Sequence, residues 1–166
     1  MNRFVMMGRT AAFTGHRPER LPFEGADSAP EVKRLKYDMC RAIHQAIERG
    51  YLRFISGMAP GFDLWAAQAV LSFREIYPEI MLECAVPYRD HGGGGLYQEI
   101  LERADKVTVL SEKYYEGCLL ARNRYLVEQS SLLIACCFTQ YGSGTGYTLR
   151  QARKQGLEIQ LINEMH

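Results

Sequence analysis

The sequence predicts an α/β fold: a single three-layer domain, residues 1–166, built on a mostly parallel sheet. Two observations predict it. Short apolar runs alternate with helical segments five or six times, the pattern of a parallel sheet covered on both faces. Small, hydroxyl and basic residues also collect in the loops that follow the runs, where open parallel sheets place their ligands.

The first strand is Thr10 to Thr14, ended by Gly15-His16-Arg17-Pro18 and a second proline, Pro22. From Pro30 the periodicity becomes helical, with Val32, Leu35, Met39, Ile43, Ala46 and Ile47 on one stripe and Gly50 as the stop. Leu52 to Ile55 is the second strand. The turn Ser56-Gly57-Met58-Ala59-Pro60-Gly61 leads from it into a helix from about Phe62 to Arg74, apolar enough all round to be buried on more than one side. Met81 to Val86 is the third strand, followed by a loop that carries four consecutive glycines, Gly92 to Gly95. A short helix, Tyr97 to Ala104, and a strand, Lys106 to Leu110, come next. Cys118 to about Ser130 is helical and Ser131 to Phe138 is a buried strand. A second glycine-rich turn, Thr139 to Gly146, opens a helix that runs to Gln155, with Gly156 as C-cap and Leu157 to Ile162 as the last strand.

Composition narrows the function. Lys and Arg total 20 against 19 for Asp and Glu, so there is no basic field of the kind that drives nucleic-acid binding. The five cysteines form no CxxC, which predicts reduced, buried thiols. Cys136 and Cys137 are adjacent on one strand and therefore point to opposite faces, an arrangement that holds no zinc. No apolar run is long enough to span a membrane, and Met1 to Arg9 has no cleavage signature. The expectation is a cytoplasmic protein with no metal and no membrane partner.

The strand-end loops carry the candidate site: Thr14, Gly15, His16 and Arg17; Ser56, Gly57, Gly61 and Asp63; Arg122 and Asn123; and Gly142, Ser143, Gly144 and Thr145. Glycines let backbone amides approach an anion, and a helix N-terminus supplies partial positive charge. Gly57 and Gly61 fit either a close phosphate contact or a tight turn beneath the helix. Asp63 fits the first helical turn without any ligand, and it equally fits a ribose hydroxyl donating to it. Arg17 is a phosphate fork and His16 a donor or proton relay, with a loop tied by surface hydrogen bonds as the alternative. Arg122 and Asn123 fall on or beside the buried face defined by Leu119, Leu126 and Val127, where polar groups need partners. Tyr88 and Tyr141 are candidates for stacking on a base. The fingerprints GxxxxGK[ST] and GxGxxG are both missing.

Together, Phe13-Thr14-Gly15-His16-Arg17-Pro18, the run Ser56 to Ala67, Arg122-Asn123 and Gly142 to Gly146 resemble the YpsA-like branch of the SLOG superfamily, from about Thr10 to Ile162. That superfamily includes the LOG phosphoribohydrolases and the Rossmann-like domain of the DNA-processing protein A family. The resemblance implies a Rossmann-like fold and a pocket for a nucleotide or nucleotide-derived ligand such as ADP-ribose. A homodimer is implied by the resemblance only. LOG enzymes carry a glutamate shortly after their Gly-Thr turn, whereas here Gly146-Tyr147-Thr148-Leu149-Arg150 follows. The carboxylate assigned to N-glycosidic hydrolysis is therefore missing at that place. The leading expectation is a small nucleotide-like partner bound by a sensor or accessory protein, with no other cofactor. Hydrolysis of such a nucleotide, using Asp63 or His16, ranks second, and a single-stranded DNA-binding module ranks last.

Overall fold

The computed structural model describes residues 9–18, 29–138 and 143–162. Its elements follow in the order β1 (Thr10–Gly15), α1 (Pro30–Glu48), β2 (Arg53–Ser56), α2 (Phe62–Arg74), β3 (Met81–Val86), α3 (Gly94–Arg103), β4 (Lys106–Val109), α4 (Cys118–Glu128), β5 (Leu132–Cys136), α5 (Gly144–Gln155) and β6 (Glu158–Leu161). All six strands belong to one sheet in the order β4-β3-β2-β1-β5-β6. Every pairing is parallel, so the sheet is more uniform than the sequence predicts.

Alternation along the strands sorts the core into two layers. Ala11, Phe13, Phe54, Leu82, Cys84, Ile134 and Cys136 face α1, α2 and α3. Their neighbours Ala12, Ile55, Ala85, Leu133, Ala135 and Cys137 face α4 and α5. The period of two along a strand produces this division. Cys136 and Cys137 accordingly lie in different layers, as their adjacency predicts. Helix α2 packs against the sheet and between α1 and α3, which is why its apolar residues run around most of its surface.

One charged group is buried in the second layer. Glu83 on β3 accepts from Arg53 of β2 through Nε at 2.9 Å, from Thr108 of β4 at 3.0 Å, and from the Tyr125 hydroxyl of α4. A second Arg53 nitrogen, Nη2, also donates to it. These donors hold the Glu83 carboxyl below its ordinary range against the opposing effect of burial. Removing one partner of such a buried pair typically costs about 3–5 kcal/mol.

Strand ends shift by a residue or two from expectation, and three helix boundaries move by more than one residue. Helix α3 starts at Gly94, inside the glycine run, not at Tyr97. Helix α5 starts at Gly144, inside the second glycine-rich turn, and α4 stops at Glu128. Glycine is unfavourable in a helix interior, but the first turn's amides have no intrahelical partners in any case. The strand order reverses beside β1, whose neighbours are β2 on one side and β5 on the other. This is the position at which parallel sheets open a crevice beyond their carboxyl ends.

Candidate functional site

The end of β1 is fixed by close packing. A Cβ on Gly15 would lie 2.2 Å from the Phe62 ring, the first residue of α2. Gly61 precedes that helix with φ +86, a backbone conformation that L side chains rarely adopt. A Cβ there would meet Pro18 Cδ at 2.8 Å and the His16 carbonyl oxygen at 3.0 Å. The loops after β1 and β2 are thus in direct contact.

The β2–α2 loop is held by its own polar groups. Ser56 Oγ donates to the Asp63 carbonyl at 2.9 Å and accepts from the Met58 amide at 3.2 Å. The Ala59 amide donates to Asp63 Oδ2 at 3.4 Å, whereas Oδ1 is buried with no hydrogen-bond partner among the described residues. Asp63 is 5% exposed. Burial pushes its carboxyl from 3.8 up to about 6, against weaker opposing pulls from Arg122, the Ala59 amide, Arg17 and the Gly15 amide.

Arg122 enters from α4 and is also 5% exposed. Its Nη1 donates to the Gly57 carbonyl, and its Nε donates to Asn123 Oδ1 at 3.0 Å. A Cβ on Gly57 would come within 2.9 Å of Arg122 Cδ and 3.2 Å of Asp63 Oδ2, so glycine is what lets the arginine cross the loop. Asn123 in turn lies against the start of α5, 3.4 Å from where a Gly144 Cβ would be.

These elements enclose a cavity of about 550 Å³. Thr14, Gly15, His16 and Arg17 line it from β1, Ala59 and Asp63 from the β2–α2 region, and Ser143, Gly144 and Thr145 from the start of α5. Tyr114, Gly117, Cys118, Leu119, Leu120, Arg122 and Asn123 complete the wall from α4 and the segment before it. Two helix N-termini therefore open on one space. That of α5 is capped by Ser143, whose Oγ accepts from the Gly146 amide at 3.0 Å. That of α4 follows Gly117 and has no side-chain cap. The Cys118 amide bonds to Tyr115 O and the Ala121 amide to Gly117 O, but those of Leu119 and Leu120 have no partner among the described residues.

Arg17 is exposed and makes no ion pair among the described residues. Nearby, His91 is held below its ordinary value by burial and then by Arg122 and Arg17. At the rim Tyr114 is 64% exposed. Its ring stands edge-on to Tyr88, with centroids 5.4 Å apart, and Tyr88 stands edge-on to His91 at 5.3 Å.

Ten of the sequence-predicted residues meet here: Thr14, Gly15, His16, Arg17, Asp63, Arg122, Asn123, Ser143, Gly144 and Thr145. Ser56, Gly57 and Gly61 stand behind the wall and shape it. Gly142 and Tyr141 lie outside the described residues. Missing from the prediction were Ala59, Gly117, Cys118, Leu119 and Leu120, of which Leu119 and Leu120 present amides unbonded among the described residues, and Tyr114, an aromatic loop residue beside Tyr115.

A family model described as the YspA SLOG family (YpsA) matches residues 11–165. The chain belongs to that family. Among similar curated relatives is a UPF0398 protein of Bacillus thuringiensis (strain Al Hakam), 26% identical over 156 residues, covering 89% of this chain and 84% of the relative. A UPF0398 protein of Bacillus cereus (strain AH187) matches with the same identity and coverage. The SLOG chain is also similar to a solved structure, DNA processing protein A from Streptococcus pneumoniae, with a TM-score of 0.64 at 17% identity. The match covers 96% of this chain and 52% of the other, so the chain spans about half the length of that protein. At this identity the likeness shows the fold: Rossmann-like, as expected. No helix among the described residues is long and apolar enough to cross a membrane.

Proposed function

We propose that the cavity binds a nucleotide-derived ligand, a nucleoside phosphate or an ADP-ribose- or NAD-like molecule, and that the protein acts as a sensor or accessory factor. The observation that carries this reading is the pair of unbonded amides, Leu119 and Leu120, at an uncapped helix N-terminus inside the cavity. Such amides and the helix dipole favour an anion. Arg17 supplies an exposed cation lining the same cavity, with a guanidinium fork suited to phosphate. The start of α5 adds a second positive pole, and Tyr114 offers a ring face at the rim on which a base can stack. The volume is in the range of small-ligand sites.

Thermal-shift and calorimetric screening with AMP, ADP-ribose, NAD and cyclic nucleotides tests the reading. A stabilising shift with at least one of them is expected, weakened about tenfold in affinity by Arg17→Ala. No shift with any of them at millimolar concentration overturns it.

A second reading, hydrolysis of an N-glycosidic or phosphate bond of the same ligand, is favoured by Asp63 alone. A buried carboxyl titrating at about 6 suits proton transfer near neutrality. Chromatography for released base decides it: turnover lost in Asp63→Ala would establish hydrolysis, and binding without turnover would exclude it.

A further inference from the structure

The structure points to a sugar-recognition role for Asp63. We infer that its unbonded carboxylate oxygen accepts a hydrogen bond from a ribose hydroxyl, so that the site selects ribonucleotides over nucleotides lacking the 2′ and 3′ hydroxyls. The inference rests on the nucleotide reading of the cavity. Asp63 lines the cavity at 5% exposure, and its Oδ1 has no hydrogen-bond partner among the described residues. A buried acceptor left unbonded is costly, and native structures rarely keep one without a reason. Its other oxygen is already engaged by the Ala59 amide, and the Gly15 amide acts on the carboxyl without meeting Oδ1 at hydrogen-bonding geometry, so Oδ1 is the acceptor left for a ligand.

The surroundings narrow the donor. Arg122 and Arg17 both act electrostatically on Asp63, and a further cation would be repelled by them. A phosphate would be repelled by the carboxylate itself. A neutral hydroxyl satisfies both conditions. The unbonded amides of α4 lie on the same cavity wall as Arg122, which allows a phosphate and a sugar to be held side by side. The exposed Tyr114 ring is left for the base. The carboxylate thus has the chemistry of a specificity-determining group: a ligand without the hydroxyl would leave Oδ1 buried and unbonded, and that loss discriminates more strongly than a missing apolar contact.

Calorimetric titration of the intact protein with AMP and with 2′,3′-dideoxy-AMP tests this, since the two share base and phosphate. AMP is expected to bind about 10- to 100-fold more tightly. Asp63→Ala is expected to bring the two affinities within about twofold of each other, mainly by weakening AMP. Asp63→Asn, which keeps the volume and one acceptor oxygen, is expected to retain part of the preference. Equal affinities of the two ligands for the wild-type protein would overturn the sugar role and leave the nucleotide reading standing. Binding of neither at millimolar concentration would overturn the sugar role, and the nucleotide reading with it where ADP-ribose, NAD and cyclic nucleotides also fail to bind. Preference for AMP that survives unchanged in a folded Asp63→Ala protein would assign the selection elsewhere and so overturn the role given to Asp63.

Discussion

Two walls of the cavity use glycine in opposite ways. In the β2–α2 loop, Gly57 makes room for Arg122 and Gly61 for Pro18 and the His16 carbonyl. Ser56 Oγ donates to the Asp63 carbonyl and accepts from the Met58 amide, and the Ala59 amide donates to the Asp63 carboxylate. Among the described side-chain polar atoms of this wall, one oxygen of Asp63 is left without a hydrogen-bond partner. At the start of α4, by contrast, nothing lies within 4 Å of a Cβ on Gly117, and the amides beyond it are unbonded. The first loop is tied down by side chains and close packing. The second has open space around its glycine and no side-chain cap.

The same substitution in both walls gives the largest contrast. Gly61→Ala puts a side chain into a conformation that disfavours it and into a contact of 2.8 Å, and should cost about 2–5 kcal/mol in denaturant unfolding. Gly117→Ala, with φ +94 and open space around it, should cost about 1–2 kcal/mol. Equal losses would erase the distinction between the walls.

Asp63→Asn examines the oxygen left over. A carboxyl raised from 3.8 to about 6 on folding binds its proton more tightly in the folded state than in the unfolded one. Its stabilising contribution is therefore complete below pH 3.8 and is lost as pH rises through about 6. The amide is neutral throughout. The variant should melt near the wild-type temperature at about pH 4 and above it at about pH 8, by up to about 3 kcal/mol. A gain of that sign, paired with weaker binding of AMP, would mark stability given up for function. The smallest effect is expected at the rim, where Tyr114→Ala should weaken nucleotide binding about five- to tenfold and leave the melting temperature unchanged.

Much of the scaffold was legible in the sequence. Helix α2 and strand β3 have the bounds their patterns predict, because a continuous apolar surface and a short run closed by Pro87 leave few alternatives. The starts of α3 and α5 were not legible, since glycine reads as loop while a first helical turn tolerates it. Side-chain members of the site such as Arg17, Asp63 and Arg122 were visible as polar residues in places that require a reason. Leu119 and Leu120 were invisible: what they contribute is a peptide N–H, which every residue but proline carries. Ser56, Gly57 and Gly61 were read as candidate ligand-binding residues of the turn, and they do not line the cavity: only packing distances separate a wall's face from its back.

The Glu83 network has a consequence for how the cavity behaves. Tyr125 fastens the later half of α4 to a carboxylate shared by three strands, and Arg122 fastens its middle to the β2–α2 loop. The helix is therefore clamped at two points, and its free amides are held in place before any ligand arrives. Little ordering entropy is left to be lost on binding. On the proposed reading, the opening of α4 is a fixed socket, and what fits it is decided by shape and donor placement, with no closing motion required.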